Sequence, residues 1–382
     1  MVGFVTYTYF LYPVCIVVIS LLRPQPVNKK SFDKWPAISI VLAAKNEESN
    51  ILKRLNNLLE QDYPPDNFEI IVVSDGSEDN TNSIVSELQQ THDMHPQIQL
   101  IEYSPGRGKA NALNRGIAQA KGDVIVLTDA RQQFNTDAVK QLLANFSDPK
   151  VGAVSGELFF KESSDSNVDI EMGAYWKYEK LIRRSESLCA SVIGATGAIY
   201  AIRKSLYKPI PAETLIDDVF IPMNVILQGY RVIFDGSAIA YDTVSQDDAQ
   251  EWRRKVRTQA GNWQLFRLKP DLFTPWYNPV FVQFVSHKIF RLLVPFLLPC
   301  ILMTGILLEG TLYLILTILQ LSVYTGALLG RISPALRHSK IISFSYFFVM
   351  MNAAALTGFG YWVSGRCGSV WRQGYTIKEE KK

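Results

Sequence analysis

Hydrophobic and polar positions change their spacing along the 382-residue chain and divide it into apolar ends and a mixed middle. Phe4 to Leu22 is an almost unbroken apolar run, and such runs return only at Leu292 to Leu308, Thr311 to Gly330 and Ile341 to Val363. About 20 apolar residues cross the hydrocarbon core of a bilayer, so each run approaches or reaches the length of a span. The first has no basic residue before it and no small-residue cleavage site after it, which predicts a retained anchor rather than a signal peptide. Arg23, Lys29, Lys30 and Lys34 follow it and, by the positive-inside bias, put the middle of the chain on the cytoplasmic side. Arg331, Arg337 and Lys340 agree, but four complete spans would leave the basic tail, with Arg366, Arg372, Lys378, Lys381 and Lys382, outside. Ile341 to Val363, with Asn352, Gly358 and Gly360, is therefore expected to re-enter rather than cross. Phe281 to Arg291 mixes Phe, Val and Ile with His287, Lys288 and Arg291, which predicts a helix lying in the interface. The expected organisation is an anchor over residues 1–30, a cytoplasmic domain over 36–266, an interfacial segment over 267–291, two to three spans over 292–364 and a basic tail over 365–382.

Between Ala37 and Leu265 the period shortens. AISIVLAA, FEIIVVSD, IQLIEY and DVIVLTDA are short β-branched runs, separated by the helical pieces NILKRLNNLLEQ, NTNSIVSELQQ and KANALNRGIAQA and followed by AVKQLLANF. This alternation predicts an α/β domain with a Rossmann-like, mostly parallel sheet. Ligands of such sheets sit beyond the C-terminal ends of the strands. Asn46, Glu47, Asp75 and Asp129 stand there. Each is also an ordinary turn or cap residue: in DGSEDNT, Gly76 and Ser77 can form a turn and Asp79 can cap the next helix. Three polar strand ends in one sheet favour a site. No G-x-G-x-x-G follows the first strand and no G-x-x-x-x-G-K-[ST] occurs, so a nucleotide would be held by acids, a cation and donors such as Lys109.

Charge changes the picture little. A net charge of +3, without a basic stripe interleaved with aromatics, gives no support for a nucleic-acid partner. Cys15, Cys189, Cys300 and Cys367 lack C-x-x-C spacing, so neither a zinc knuckle nor a disulfide framework is indicated.

The order SIVLAAKNEES, VVSDGSEDNT, GKANALN, LTDA, GATGAIYAIRK, IDD and QAGNW, flanked by apolar spans, resembles the family 2 glycosyltransferases of the GT-A fold. That family includes cellulose, chitin and hyaluronan synthases and bacterial enzymes of exopolysaccharide and glycolipid biosynthesis. The resemblance implies an inverting hexosyltransferase of the bacterial inner membrane, using a nucleotide-sugar, most often a UDP-sugar. It implies that Asn46, Glu47 and Asp75 border base and ribose with Lys109 nearby, and that Asp129, the first acid of D-x-D, faces a Mg²⁺- or Mn²⁺-bound diphosphate. It further implies that Thr196 and Gly197 lie beside the acceptor, that Asp218, preceded by Asp217, is the catalytic base, and that Gln259 and Trp263 are the outer letters of Q-x-x-R-W.

Two positions depart from the pattern. Arg131 replaces the second acid of D-x-D, and Asn262 replaces the arginine of Q-x-x-R-W. Arg131 either turns to solvent or reaches the diphosphate with its fork, and Arg257 or Arg254 can supply the charge missing at Asn262. Asp217 and Asp218 precede a helix, where the plain alternative is an N-cap, and Pro222 is tolerable only near that helix's first turn. Trp263 either stacks on a sugar ring or anchors at the membrane interface. The acceptor is lipid-linked or a growing glycan. Four candidate spans are few for a polymer channel and favour the former. The two departures also leave open a non-catalytic scaffold, against which the retained Asp75, Asp129 and Asp218 speak.

Overall fold

The computed structural model describes residues 1–30, 32–91, 96–161, 168–243 and 248–368, with the backbone alone described at 161, 168–174 and 243. After the first helix, α1 (Val2–Leu22), the chain alternates: β1 (Ile38–Ala44), α2 (Ile51–Leu59), β2 (Phe68–Asp75), α3 (Thr81–Thr91), β3 (Gln97–Tyr103), α4 (Lys109–Gln119) and β4 (Val124–Thr128). There follow β5 (Gln133–Phe134), α5 (Ala138–Ala144), β6 (Val151–Lys161), α6 (Val168–Cys189), β7 (Tyr200–Arg203), α7 (Asp217–Ile226), β8 (Arg231–Thr243) and α8 (Asp248–Leu268). The chain ends in α9 (Phe281–Leu307), α10 (Thr311–Ile332) and α11 (Lys340–Val363).

The strands form one sheet in the order β3-β2-β1-β4-β7-β6-β8-β5. Its β3-β2-β1-β4 half is parallel, and β7 enters antiparallel between β4 and β6. Parallel strands covered on both faces need apolar side chains on both, and β1 and β4 are accordingly buried at almost every position. One face packs Ile51, Leu55 and Leu58 of α2, a one-sided helical spacing, together with α5. The other face packs α4 and α7, and this core runs without a break into Trp263 of α8, Phe284 and Leu292 of α9 and Ala355 of α11. The register sets Ala44 beside Ser74 and Leu42 beside Thr128, so the ends of β1, β2 and β4 open on one edge.

Among the described residues four helices, α1, α9, α10 and α11, are long and apolar enough to cross a membrane. Two features of this part differ from the sequence reading. Phe281 to Arg291 is the first part of α9 rather than a separate interfacial helix. Its polar residues have protein partners: His287 bonds to Glu179 (3.0 Å) and Glu186 (2.8 Å) of α6, and Arg291 pairs with Glu179. Ile341 to Val363 lies in one unbroken helix, because its apparent breakers have local uses. Asn352 donates to the Phe348 carbonyl of its own helix at 2.8 Å, and a Cβ on Gly358 would stand 2.7 Å from the Ala260 nitrogen, so that glycine lets α11 approach α8. Of the basic tail, Arg372, Lys378, Lys381 and Lys382 lie outside the described residues.

Candidate active site

The loops leaving β1 and β2 are tied to each other. The Glu78 N–H donates to Asn46 Oδ1 at 2.9 Å, the Glu47 N–H to Thr81 Oγ1 at 2.8 Å, and Asn50 donates to the Glu47 carboxylate at 2.7 Å. Asp75, buried at the end of β2, turns toward the loop before α4. It accepts from Tyr103 Oη (2.8 Å), from the Arg107 N–H (2.6 Å) and, through Oδ2, from the Gly108 N–H (2.8 Å). Gly108 has φ of 93°, a conformation that favours glycine. Asp75 thus fixes the two residues that precede Lys109.

Lys109 opens α4, where the helix dipole opposes a cation. Two carboxylates offset this: its ammonium lies 2.9 Å from Asp129 Oδ1 and 3.3 Å from Asp217 Oδ1. Burial alone would lower the Lys109 pKa, but Asp129 and Asp217 outweigh it and raise it. The Asp129 carboxyl shifts the other way, since Lys109, with Arg131 and Arg257, overcomes the effect of burial and lowers its pKa. Asp129 is placed by the end of β4, under which Arg54 is fully buried. Arg54 donates to Thr128 Oγ1 and to Asn57 Oδ1, each at 2.7 Å, and its pKa is pulled down to about 9 by burial, with Asp129 opposing. Asp129 is held through one oxygen and keeps 37% of its side chain exposed. Arg131 is 42% exposed and reaches Asp242 of β8 at 3.5 Å, where Gln132 also donates at 2.8 Å.

Asp217 and Asp218 begin α7, a favourable place for acids. Pro222 is its sixth residue, one turn deeper than the sequence reading allowed. A proline there cannot donate to the carbonyl four residues back, which is that of Asp218. The Ala195 N–H takes that carbonyl instead, at 2.6 Å. The bond docks the turn Gly194–Gly197 onto Asp218, and a Cβ on Gly197 would lie 3.4 Å from Asp218 Oδ2. Burial and the neighbouring Asp217 raise the Asp218 pKa, while Lys109, Lys288 and Arg257 act to lower it. The structure therefore brings Lys109, Asp129, Asp217, Asp218 and Gly197 together at one edge of the sheet.

Trp263 is elsewhere. Only 5% exposed, it donates to the Ala355 carbonyl at 3.2 Å and packs with Phe266, Phe296, Phe359 and Trp362. It is a joint between α8 and the C-terminal helices, and stacking on an acceptor sugar is corrected to this role because aromatic neighbours enclose the ring. Gln259, half-buried, accepts a long 3.4 Å bond from Asn262 and packs where Gly358 brings α11 close. Arg254 pairs with Glu251 at 2.7 Å, and the charge of Arg257, also on α8, acts on both Asp129 and Asp218. Sequence reasoning missed Arg54 and Arg183. Arg183 donates to Thr196 Oγ1 at 2.9 Å and to Ser155 Oγ at 2.8 Å. The available signal was that Glu179, Arg183 and Glu186 share one face of α6 at helical spacing, a pattern that ordinarily marks a solvated surface.

A mostly parallel sheet with polar strand ends, joined to four described helices long and apolar enough to cross a membrane, is the class of fold that these features define. The overall fold is similar to that of the mannosyltransferase PcManGT from Pyrobaculum calidifontis in complex with GDP-Man and Mn²⁺, with a TM-score of 0.70 at 22% identity over 95% of this chain and 97% of that one. Residues 39–210 match the family described as Glycosyl transferase family 2. The chain is 30% identical over 273 residues to a poly-beta-1,6-N-acetyl-D-glucosamine synthase of Staphylococcus aureus, covering 68% of this chain and 65% of that protein. It is 29% identical over 256 residues to the synthase of Staphylococcus epidermidis, covering 64% and 61%. The chain thus spans less than two thirds of the length of these relatives. Its residues 39–210 form a domain of glycosyltransferase family 2.

Proposed function

We propose that the protein is an integral membrane enzyme that transfers a sugar, with inversion, from a UDP-sugar to a glycan or lipid-linked acceptor on the cytoplasmic face of a bacterial inner membrane. The observation that carries this reading is the bridge of Lys109 between Asp129 and Asp217, with Asp218 adjacent and against Gly197. The donor lies over the ends of β1, β2 and β4. Asn46 and Glu47 border base and ribose, and Asp75 acts by holding the loop that aims Lys109. Asp218 accepts the proton of the acceptor hydroxyl as its oxygen bonds to the anomeric carbon and the bond to the diphosphate breaks. Lys109, Arg257 and Arg131 offer positive charge to the departing diphosphate.

The residues also fit a divalent ion in a minimal way. Among the described residues no three His, Cys, Asp or Glu side chains form a metal cage, but Asp129 keeps an exposed carboxylate. Mg²⁺ or Mn²⁺ can bind through one carboxylate, with phosphate oxygens and water completing the sphere. When bound, it would add charge neutralisation at the diphosphate.

The relatives' names favour N-acetylglucosamine as the sugar and a growing glycan as the acceptor. Purified protein in detergent, given radiolabelled UDP-N-acetylglucosamine and lipid extract, should release UDP. Long products support a synthase, and single-sugar lipid products support a lipid-linked acceptor. UDP binding without turnover of any UDP-sugar would instead support a non-catalytic relative.

A further inference from the structure

Glu179, Arg183 and Glu186 occupy one face of α6, on which the two acids are buried and Arg183 is half-buried. Glu186 accepts from Tyr12 Oη of α1 at 2.5 Å and bonds to His287 of α9 at 2.8 Å, while Glu179 bonds to His287 at 3.0 Å and pairs with Arg291. These two acids therefore fasten α6 to two of the apolar helices. Arg183, between them in sequence, reaches the turn Gly194–Gly197. Its Nη1 donates to Thr196 Oγ1 at 2.9 Å, and its Nη2 donates to Ser155 Oγ at 2.8 Å and to the Gly194 carbonyl at 3.4 Å. Ser155 Oγ accepts the Thr196 N–H as well, at 2.9 Å. The opposite side of the same turn rests on Asp218, through the Ala195 N–H and the contact at Gly197.

We propose that Arg183 is a positioning residue for the transfer reaction, holding the Gly194–Gly197 turn against Asp218, and that Glu179 and Glu186 reference this clamp to α1 and α9. The inference rests on Asp218 being the base. A guanidinium whose hydrogen bonds go to two hydroxyls and a carbonyl, rather than to a directly paired carboxylate, is costly to bury. Burial accordingly lowers the Arg183 pKa, opposed by the charges of Glu179, Glu186 and Asp218. Its fork offers two rigidly spaced donors to two hydroxyls, a geometry that lysine cannot reproduce. Catalytic geometry is sensitive on this scale, since a 1 Å displacement costs about 10²-fold in rate.

The test compares Arg183→Gln and Arg183→Lys in the full chain, reading kcat and acceptor KM by UDP release from UDP-N-acetylglucosamine, UDP affinity by calorimetry, and Tm. Arg183→Gln should lower kcat about 10²-fold with the UDP Kd within about twofold of wild type, because the donor edge lies on other strands. Arg183→Lys should recover part of the loss. Combined with Thr196→Val, Arg183→Gln should cost much less than the sum of the two, because both act through one contact. Asp218→Asn is measured in parallel. If it keeps turnover, the base assignment fails and takes this inference with it; if it is inactive while Arg183→Gln turns over normally, this inference alone fails. A loss in Arg183→Gln matched by equal losses of UDP binding and Tm would make Arg183 a structural prop and also overturn it.

Discussion

Asp217 and Asp218 are adjacent acids with different work, and what each touches separates them. Asp217 accepts from Lys109, whereas Asp218 borders the Gly194–Gly197 turn and carries a raised pKa. A base must be ionised, so transfer should fall as pH drops through a group titrating above the usual aspartate range. Asp217→Asn removes one cause of that rise, and the acid limb of kcat should move to lower pH; a limb that stays in place or moves up counts against the assignment. Asp218→Asn keeps the shape but not the basicity, and should lose roughly 10²- to 10⁴-fold in kcat while binding donor normally. Arg131 poses a separate question. Arg131→Asp restores D-x-D and should tighten the apparent affinity for Mg²⁺ or Mn²⁺ in activity titrations, because a second carboxylate joins the sphere. Arg131→Ala should lower kcat and leave the metal requirement in place. Full wild-type activity in EDTA would assign the neutralising role to the cations alone.

The elements that carry these residues were legible in the sequence to different degrees. The strands β1 to β4 and helices α2 to α5 follow from local periodicity, and the strand-end residues Asn46, Glu47, Asp75 and Asp129 follow with them, because a strand's end is a property of its own few residues. The two roles open to Trp263 of α8 were legible, but its target was not. A tryptophan's neighbours come from distant chain, here Phe296, Phe359 and Trp362. Trp263→Ala should therefore destabilise the protein by about 3–5 kcal/mol, seen as a lowered Tm in detergent. Trp263→Phe should lose less stability and leave acceptor KM near wild type; a raised acceptor KM at unchanged Tm would restore the sugar-stacking reading. Pro222 belongs to the same scale. As a residue it reads as a helix breaker, and in α7 it leaves the Asp218 carbonyl to Ala195.

At the scale of the whole molecule, the α/β domain shares one continuous hydrophobic core with α9 and α11, and α6 links the parts, its acids bonding to α1 and α9 and its Arg183 to the turn beside Asp218. Such joining predicts that severing the links at the far end is felt at the site: Tyr12→Phe with His287→Gln should lower kcat more than it raises the KM for donor, measured by UDP release. Equal effects on both, or none, would mean that the two parts act independently. The sequence by itself determined the alternation of strands and helices, the four apolar stretches and the residues at the strand ends, because these depend on spacings of a few residues. Tertiary structure alone decided that Asp75 aims Lys109, that Lys109 bridges Asp129 and Asp217, that Trp263 is a joint, and that Arg183 faces the turn at Asp218. Those are contacts between residues tens to hundreds of positions apart, which local propensity cannot encode, and their energies depend on burial that exists only once the core has closed.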